Sequence, residues 1–172
     1  MTTLVRPLVR NWLILAFLAS AVMLLTAHAF EKFGGYKPCM LCLFQRNVYW
    51  WALGVSGAGL AASLRPPAER LKPLVFVALA LIFLVGAGIA AYHAGAEWKW
   101  WPGPQACSAA GGSASVEQLK ALMHGAVVHA PHCNEDPLRG KLGLSMAGWN
   151  VLASLAFAGF SVAAARESLR RD

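Results

Sequence analysis

The stretch Pro38-Cys39-Met40-Leu41-Cys42-Leu43-Phe44-Gln45-Arg46 sets two thiols and a guanidinium close together in the chain. Read as the start of a helix, it puts Pro38 in the first turn, where its missing N–H would have had no partner. Cys39, Cys42 and Arg46 then fall at i, i+3 and i+7, on one helical face. The positive end of the helix dipole and the fixed charge of Arg46 both favour the thiolate, the form that exchanges disulfides and donates electrons. The plainer alternative is a pair of buried, apolar-like cysteines with an arginine that snorkels towards water.

Two further cysteines, Cys107 and Cys133, each stand beside a turn: Pro102-Gly103-Pro104 precedes the first, and Asn134-Glu135-Asp136-Pro137 follows the second. They suit either a structural disulfide closing a loop or a working redox pair. A four-cysteine zinc site would need a second close pair to match Cys39-x-x-Cys42, and Cys107 and Cys133 lack that spacing, so no metal is expected. His129 and His132 read as ordinary residues of an outer loop.

Such residues need a frame to hold them, and the composition says what kind. The chain of 172 residues suffices for one domain. It is 58% hydrophobic and 13% charged, with seven tryptophans, which is the balance of a membrane protein rather than a soluble one. The net charge of +7 does not point to nucleic acid, because the basic residues lie at the ends of apolar runs instead of forming a patch.

The chain is expected to be a single all-α membrane domain, residues 1–172, with four transmembrane helices at about 12–30, 39–64, 74–93 and 144–165. The first run is too long for the apolar core of a typical signal peptide, although Ala27-His28-Ala29 resembles a cleavage pattern, so retention is expected. Loops at 31–38 and 94–143 fall on one side. The basic, proline-rich break at 65–73 falls on the other, with both termini. Arg6, Arg10, Arg65, Arg70, Lys72, Arg166, Arg170 and Arg171 mark that second side as cytoplasmic. All four cysteines then lie on or at the boundary of the outer side, where disulfides persist. Trp98, Trp100 and Trp101 suit the membrane interface. Ser115-x-x-Gln118 opens a short amphipathic helix with Val116, Leu119, Leu122 and Met123 on one face, expected to lie along the membrane surface.

The C-x-x-C heading the second of four spans, Arg46 four residues beyond it, and a later pair straddling an amphipathic helix resemble the disulfide bond formation protein B (DsbB) family. Tyr92-His93 before the tryptophan-rich segment, and Leu142-Gly143-Leu144-Ser145-Met146 leading the last span, add to the resemblance, which covers nearly the whole chain. It implies a bacterial inner-membrane enzyme that moves electrons from a periplasmic DsbA-like thioredoxin-fold oxidase to membrane quinone, either ubiquinone or menaquinone. By position, Cys107 would form the mixed disulfide with the partner, Cys133 would exchange with Cys39, and Cys42 would face the quinone. Arg46 and His93 would lie beside that quinone. Two other readings compete: a four-span scaffold with a structural outer disulfide, and a thiol oxidase resembling vitamin K epoxide reductase. The latter family carries its quinone-proximal C-x-x-C late in the chain, whereas here it comes early.

Overall fold

The computed structural model describes residues 5–34, 38–64, 70–103 and 143–170. Among these there are five helices and no strand: α1 (Val5–Arg10), α2 (Trp12–Lys32), α3 (Met40–Ala62), α4 (Lys72–Glu97) and α5 (Met146–Leu169). The four long helices expected are present, with shifted ends. Pro38 is not in the first turn of α3; it precedes Cys39, which is the N-cap. At α4 the helix starts ahead of Pro73, because proline near the first helical position sacrifices no hydrogen bond. The far end of α4 extends through Ala94-Gly95-Ala96-Glu97, past the boundary expected at 93. The short helix α1 was not foreseen. It runs almost into α2, with only a turn at Asn11 between them, and the buried Val9 belongs to the core.

Helices α2, α4 and α5 are each long and apolar enough to cross a membrane. Helix α3 has 23 residues, about 34 Å of length, but its first turns carry Gln45, Arg46 and Asn47. The outer surface is apolar: Leu18, Val22 and Leu25 of α2, Trp51 of α3, Leu81 and Val85 of α4, and Leu155 of α5 are all exposed. The inner surface is built largely from small residues. Ala16, Ser20, Ala52, Ser56, Ala90, Ser154, Ala158 and Ser161 are buried, as suits helices whose backbones approach closely in lipid. Gly86 is one such approach, since an added Cβ would stand 2.9 Å from Val48 Cγ1.

Side-chain pairs give the helix directions. The end of α2 meets the start of α3 through Glu31 and Arg46. The end of α4 meets the same start through His93 and Gln45. The start of α5 joins them through Asn150 and Gln45. At the opposite end, Trp12 Nε1 of α2 donates to Ser161 Oγ of α5 at 2.8 Å. Ser161 in turn donates to Phe157 O at 2.8 Å, so this buried hydroxyl is satisfied within the bundle. The helices therefore alternate in direction around a core of Trp12, Tyr49, Leu79, Phe83 and Ala158. Its rings meet edge-on where Phe83 and Phe157 lie 5.3 Å apart. The ends of α2 and α4 and the starts of α3 and α5 converge at one end of the bundle, and Cys39 and Cys42 are at that end.

Candidate active site at the head of the third helix

Cys39 closes the N-terminus of α3 with its own sulfur. Its backbone is extended, its carbonyl accepts from Leu43 N at 3.1 Å, and its Sγ accepts from Cys42 N at 3.3 Å. This is the task usually given to a serine or aspartate side chain. The result aims the sulfur at the positive end of the helix, where negative charge is stabilised. The two sulfurs lie 3.0 Å apart as free thiols. Closing to the ~2.05 Å of a disulfide takes a movement of about 1 Å.

The sulfurs differ in access. Cys39 is buried, at 6% exposure. Cys42 is only partly buried, and Met40, Leu43 and Phe44 around it are exposed. One thiol thus faces the protein interior and the other an apolar outer surface.

On the inner side stands His93, buried at 4% exposure. Its Nε2 is 3.7 Å from Cys39 Sγ and 3.6 Å from Glu97 Oε1, one turn further along α4. Its Nδ1 is 2.9 Å from Gln45 Nε2. Gln45 Oε1 accepts from Asn150 Nδ2 at 2.6 Å. Asn150 Oδ1 accepts from the Tyr49 hydroxyl, which also lies 3.4 Å from Ser154 Oγ. Cys39, Cys42 and His93 bring three metal-capable atoms within 4.8 Å of one another. A reactive dithiol with an imidazole beside it has the same composition, and no observation here favours a metal over that.

Arg46, expected on the sulfurs' face, stands one turn beyond Cys42 on α3. Its guanidinium turns to α2, where one nitrogen donates to the Glu31 carboxylate and the other to Ala27 O at 3.0 Å. Its charge is therefore paired, and it links the start of α3 to the end of α2.

After Glu97 the chain turns back on itself. Lys99 takes a left-handed backbone conformation, with φ of 61°, as residues that end a helix often do. Trp100 N then donates to Gly95 O at 2.9 Å. The Trp101 ring lies on Gly95, stacks on Tyr92 at a centroid distance of 5.8 Å, and donates from Nε1 to Tyr92 O at 2.9 Å. The tryptophan cluster thus covers the turn of α4 that carries His93. At the opposite end of the bundle, a cavity of about 300 Å³ is lined by Arg10, Leu13, Phe76 and Ser168, away from the sulfurs.

Of the residues singled out in the sequence, Cys39, Cys42 and His93 come together. Arg46 lies on the same helix but is engaged elsewhere. Cys107, Cys133 and the expected surface helix between them lie outside the described residues, as does most of the 65–73 loop. Gln45, Asn150, Tyr49 and Glu97 were missed. A signal did exist: amide side chains inside apolar runs are costly in a bilayer and generally bond across helices, and Glu97 follows His93 by one helical turn.

The family model for "Disulfide bond formation protein DsbB" matches residues 9–164. A relative named Disulfide bond formation protein B, from Methylococcus capsulatus, is 30% identical over 167 residues, covering 91% of this chain and 93% of its own length. Another of that name, from Pectobacterium atrosepticum, is 44% identical over 64 residues, 37% of this chain and 34% of that protein. No solved structure matches the chain. Because the family match runs through all four long helices converging on the paired sulfurs, the chain belongs to the DsbB family: it is a membrane protein of disulfide bond formation, with the disulfide oxidoreductase role that membership implies.

Proposed function

We propose that this protein reoxidises a periplasmic DsbA-like thioredoxin-fold oxidase and passes the electrons to membrane quinone, ubiquinone or menaquinone, in a bacterial inner membrane. The observation that carries this reading is the asymmetry of the two sulfurs. Cys39 is buried beside His93, while Cys42, 3.0 Å away, is partly exposed among Met40, Leu43 and Phe44. A dithiol that must take electrons from a water-side partner and deliver them to a lipid-side acceptor needs such a two-faced placement.

In this reading the reduced partner attacks Cys107 in a Cys107–Cys133 disulfide and forms a mixed disulfide. The partner's second thiol resolves it, which leaves the partner oxidised and Cys107 and Cys133 as thiols. Cys133 then attacks Cys39 and releases Cys42 as a thiolate; Cys107 attacks Cys133 in turn and releases Cys39, so that the Cys107–Cys133 bond is restored and Cys39 and Cys42 hold the electron pair. A quinone supplies the two-electron acceptor when bound, and its apolar body suits the surface beside Cys42. Re-forming the Cys39–Cys42 bond would release the two electrons and two protons of the dithiol to that acceptor. The direction is set by potential, since a strongly oxidising dithiol needs an acceptor of still higher potential. Cys42, Arg46 and His93 are the groups proposed beside the quinone head.

Four spans, with α3 as the second, bring residues 1–11, 65–73 and 166–172 to the cytoplasmic side. The Lys/Arg bias of those segments and the convergence of the site at one end of the bundle both support that orientation. The deciding experiment supplies purified full-length protein with a reduced thioredoxin-fold oxidase and a soluble quinone. Quinone reduction matched one to one by partner disulfide is expected. Partner oxidation absent in the presence of quinone would overturn the reading.

A further inference from the structure

A run of hydrogen bonds crosses three helices and ends on His93, and its chemistry fixes more than a position. An amide nitrogen donates and never accepts. Gln45 Nε2 faces His93 Nδ1 at 2.9 Å, and in this amide orientation Nδ1 is the bare, accepting nitrogen of the ring. Gln45 cannot turn over freely, because its Oε1 is held by Asn150 Nδ2 at 2.6 Å. Asn150 is held in the same sense by the Tyr49 hydroxyl, which donates to its Oδ1; the reversed run would make Tyr49 accept from Asn150 and donate instead to Ser154 Oγ, across a long 3.4 Å. The other side of the ring agrees. Nε2 faces Glu97 Oε1 at 3.6 Å and Cys39 Sγ at 3.7 Å. A carboxylate only accepts, and a thiolate accepts well, so Nε2 is the nitrogen that should bear hydrogen.

We infer that Gln45, oriented by Asn150 and Tyr49, is a positioning residue that holds His93 in the tautomer with its N–H on Nε2, aimed at the sulfur of Cys39. The inference deepens the proposed function and rests on Cys39 being a working sulfur in it. A neutral imidazole locked this way serves as a hydrogen-bond donor to the Cys39 thiolate released when the Cys39–Cys133 disulfide is resolved. It does not serve as the base that removes the thiol proton, because the nitrogen facing the sulfur already carries one. The brace is costly to build, as Tyr49, Asn150 and Ser154 are all buried and each unmet polar atom there would be penalised. A purely structural need would be met as well by apolar packing.

The test is nitrogen NMR of the full-length protein with ¹⁵N-labelled histidine in bicelles, with the His93 signals assigned by their loss in His93→Asn. Bare and protonated ring nitrogens are well separated in shift and identify the tautomer without any turnover assay. In the wild type, bare Nδ1 and protonated Nε2 are expected, in excess over the other form by about tenfold, which is what one net hydrogen bond supplies. Gln45→Leu should cut that excess severalfold, leaving only what Glu97 and Cys39 supply on the Nε2 side. Gln45→Glu, which puts an acceptor in place of the donor, should move hydrogen onto Nδ1. A wild-type ring with hydrogen on Nδ1 would overturn the inference even if neither variant folds, and so would a Gln45→Leu ring still holding the tenfold excess. Quinone reduction on the same samples keeps the two readings apart. Turnover with the wrong tautomer sinks only the brace, and the right tautomer without turnover sinks only the proposed function.

Discussion

Arg46 of α3 is bonded to Glu31 of α2, and through its second nitrogen to the carbonyl of Ala27 one turn earlier. An arginine in an apolar helix is a costly placement that generally marks function, and here the cost is offset by two α2 partners. The side chain is 16% exposed and its carboxylate partner 40%, so solvent screens part of the attraction. Arg46→Ala and Glu31→Ala should couple by about 0.5–1 kcal/mol in a double-mutant cycle of thermal unfolding. If Arg46 also meets the quinone, Arg46→Ala raises the quinone KM strongly while Glu31→Ala changes it little. Arg46→Lys falls between, because lysine keeps the charge and loses the planar fork. Equal KM effects from Arg46→Ala and Glu31→Ala would assign the arginine to helix packing alone.

The turn that covers His93 makes a steric prediction. A Cβ added at Gly95 would stand 2.0 Å from Cζ2 of Trp101, so Gly95→Ala must expel the ring and break its bond to Tyr92 O. Overpacking of this kind costs about 1–3 kcal/mol. Trp101→Ala should lose stability by itself, yet Gly95→Ala added to it should cost almost nothing more. Additive losses in the double variant would show that the ring does not rest on Gly95.

Lys99 offers a gain in stability. Its φ of 61° is a conformation that glycine takes without steric penalty and other residues at about 1 kcal/mol or more. Lys99→Gly should raise the unfolding midpoint measurably and leave partner oxidation untouched. A lower midpoint would mean that the lysine side chain makes a contact outweighing the backbone cost.

These details mark where the sequence was legible. The four long helices could be read because apolar runs and proline breaks are local signals, and the C-x-x-C could be read because its spacing is local too. Arg46 was placed by helical periodicity on the face of the sulfurs. Periodicity fixes the direction of a Cβ, but a side chain with four torsions followed Glu31 on another helix. Gln45 stands beside Arg46 in the sequence, but its role depends on Asn150, which lies more than a hundred residues further along the chain. Helix ends drifted where the deciding contact was non-local, as at Glu97, which the return of Trp101 onto Gly95 keeps within the helix.

The outer pair should act as a relay. Cys107 and Cys133 flank glycine- and proline-rich segments, where a rigid brace would have little to hold. Cys133→Ser should remain in the membrane fraction and accumulate a reducible adduct with a thioredoxin-fold partner through Cys107. Loss of folding with no adduct would make the pair a structural disulfide.

The last prediction separates the two tasks of Cys39. Its sulfur caps α3 by accepting the Cys42 N–H at 3.3 Å, and in the proposed reaction the same sulfur exchanges electrons. Serine can do the first and not the second; alanine can do neither. Cys39→Ser should therefore unfold close to the wild-type temperature, because its hydroxyl is a good N-cap acceptor. Cys39→Ala should lose about 1 kcal/mol, the usual cost of removing a cap. Both should abolish steady-state quinone reduction, since no Cys39–Cys42 disulfide can form. The measurement is thermal unfolding by circular dichroism beside the quinone assay. Equal destabilisation of the two variants would mean that the sulfur's packing against His93, not the cap, holds this end of the helix. Residual turnover in either would remove Cys39 from the electron path.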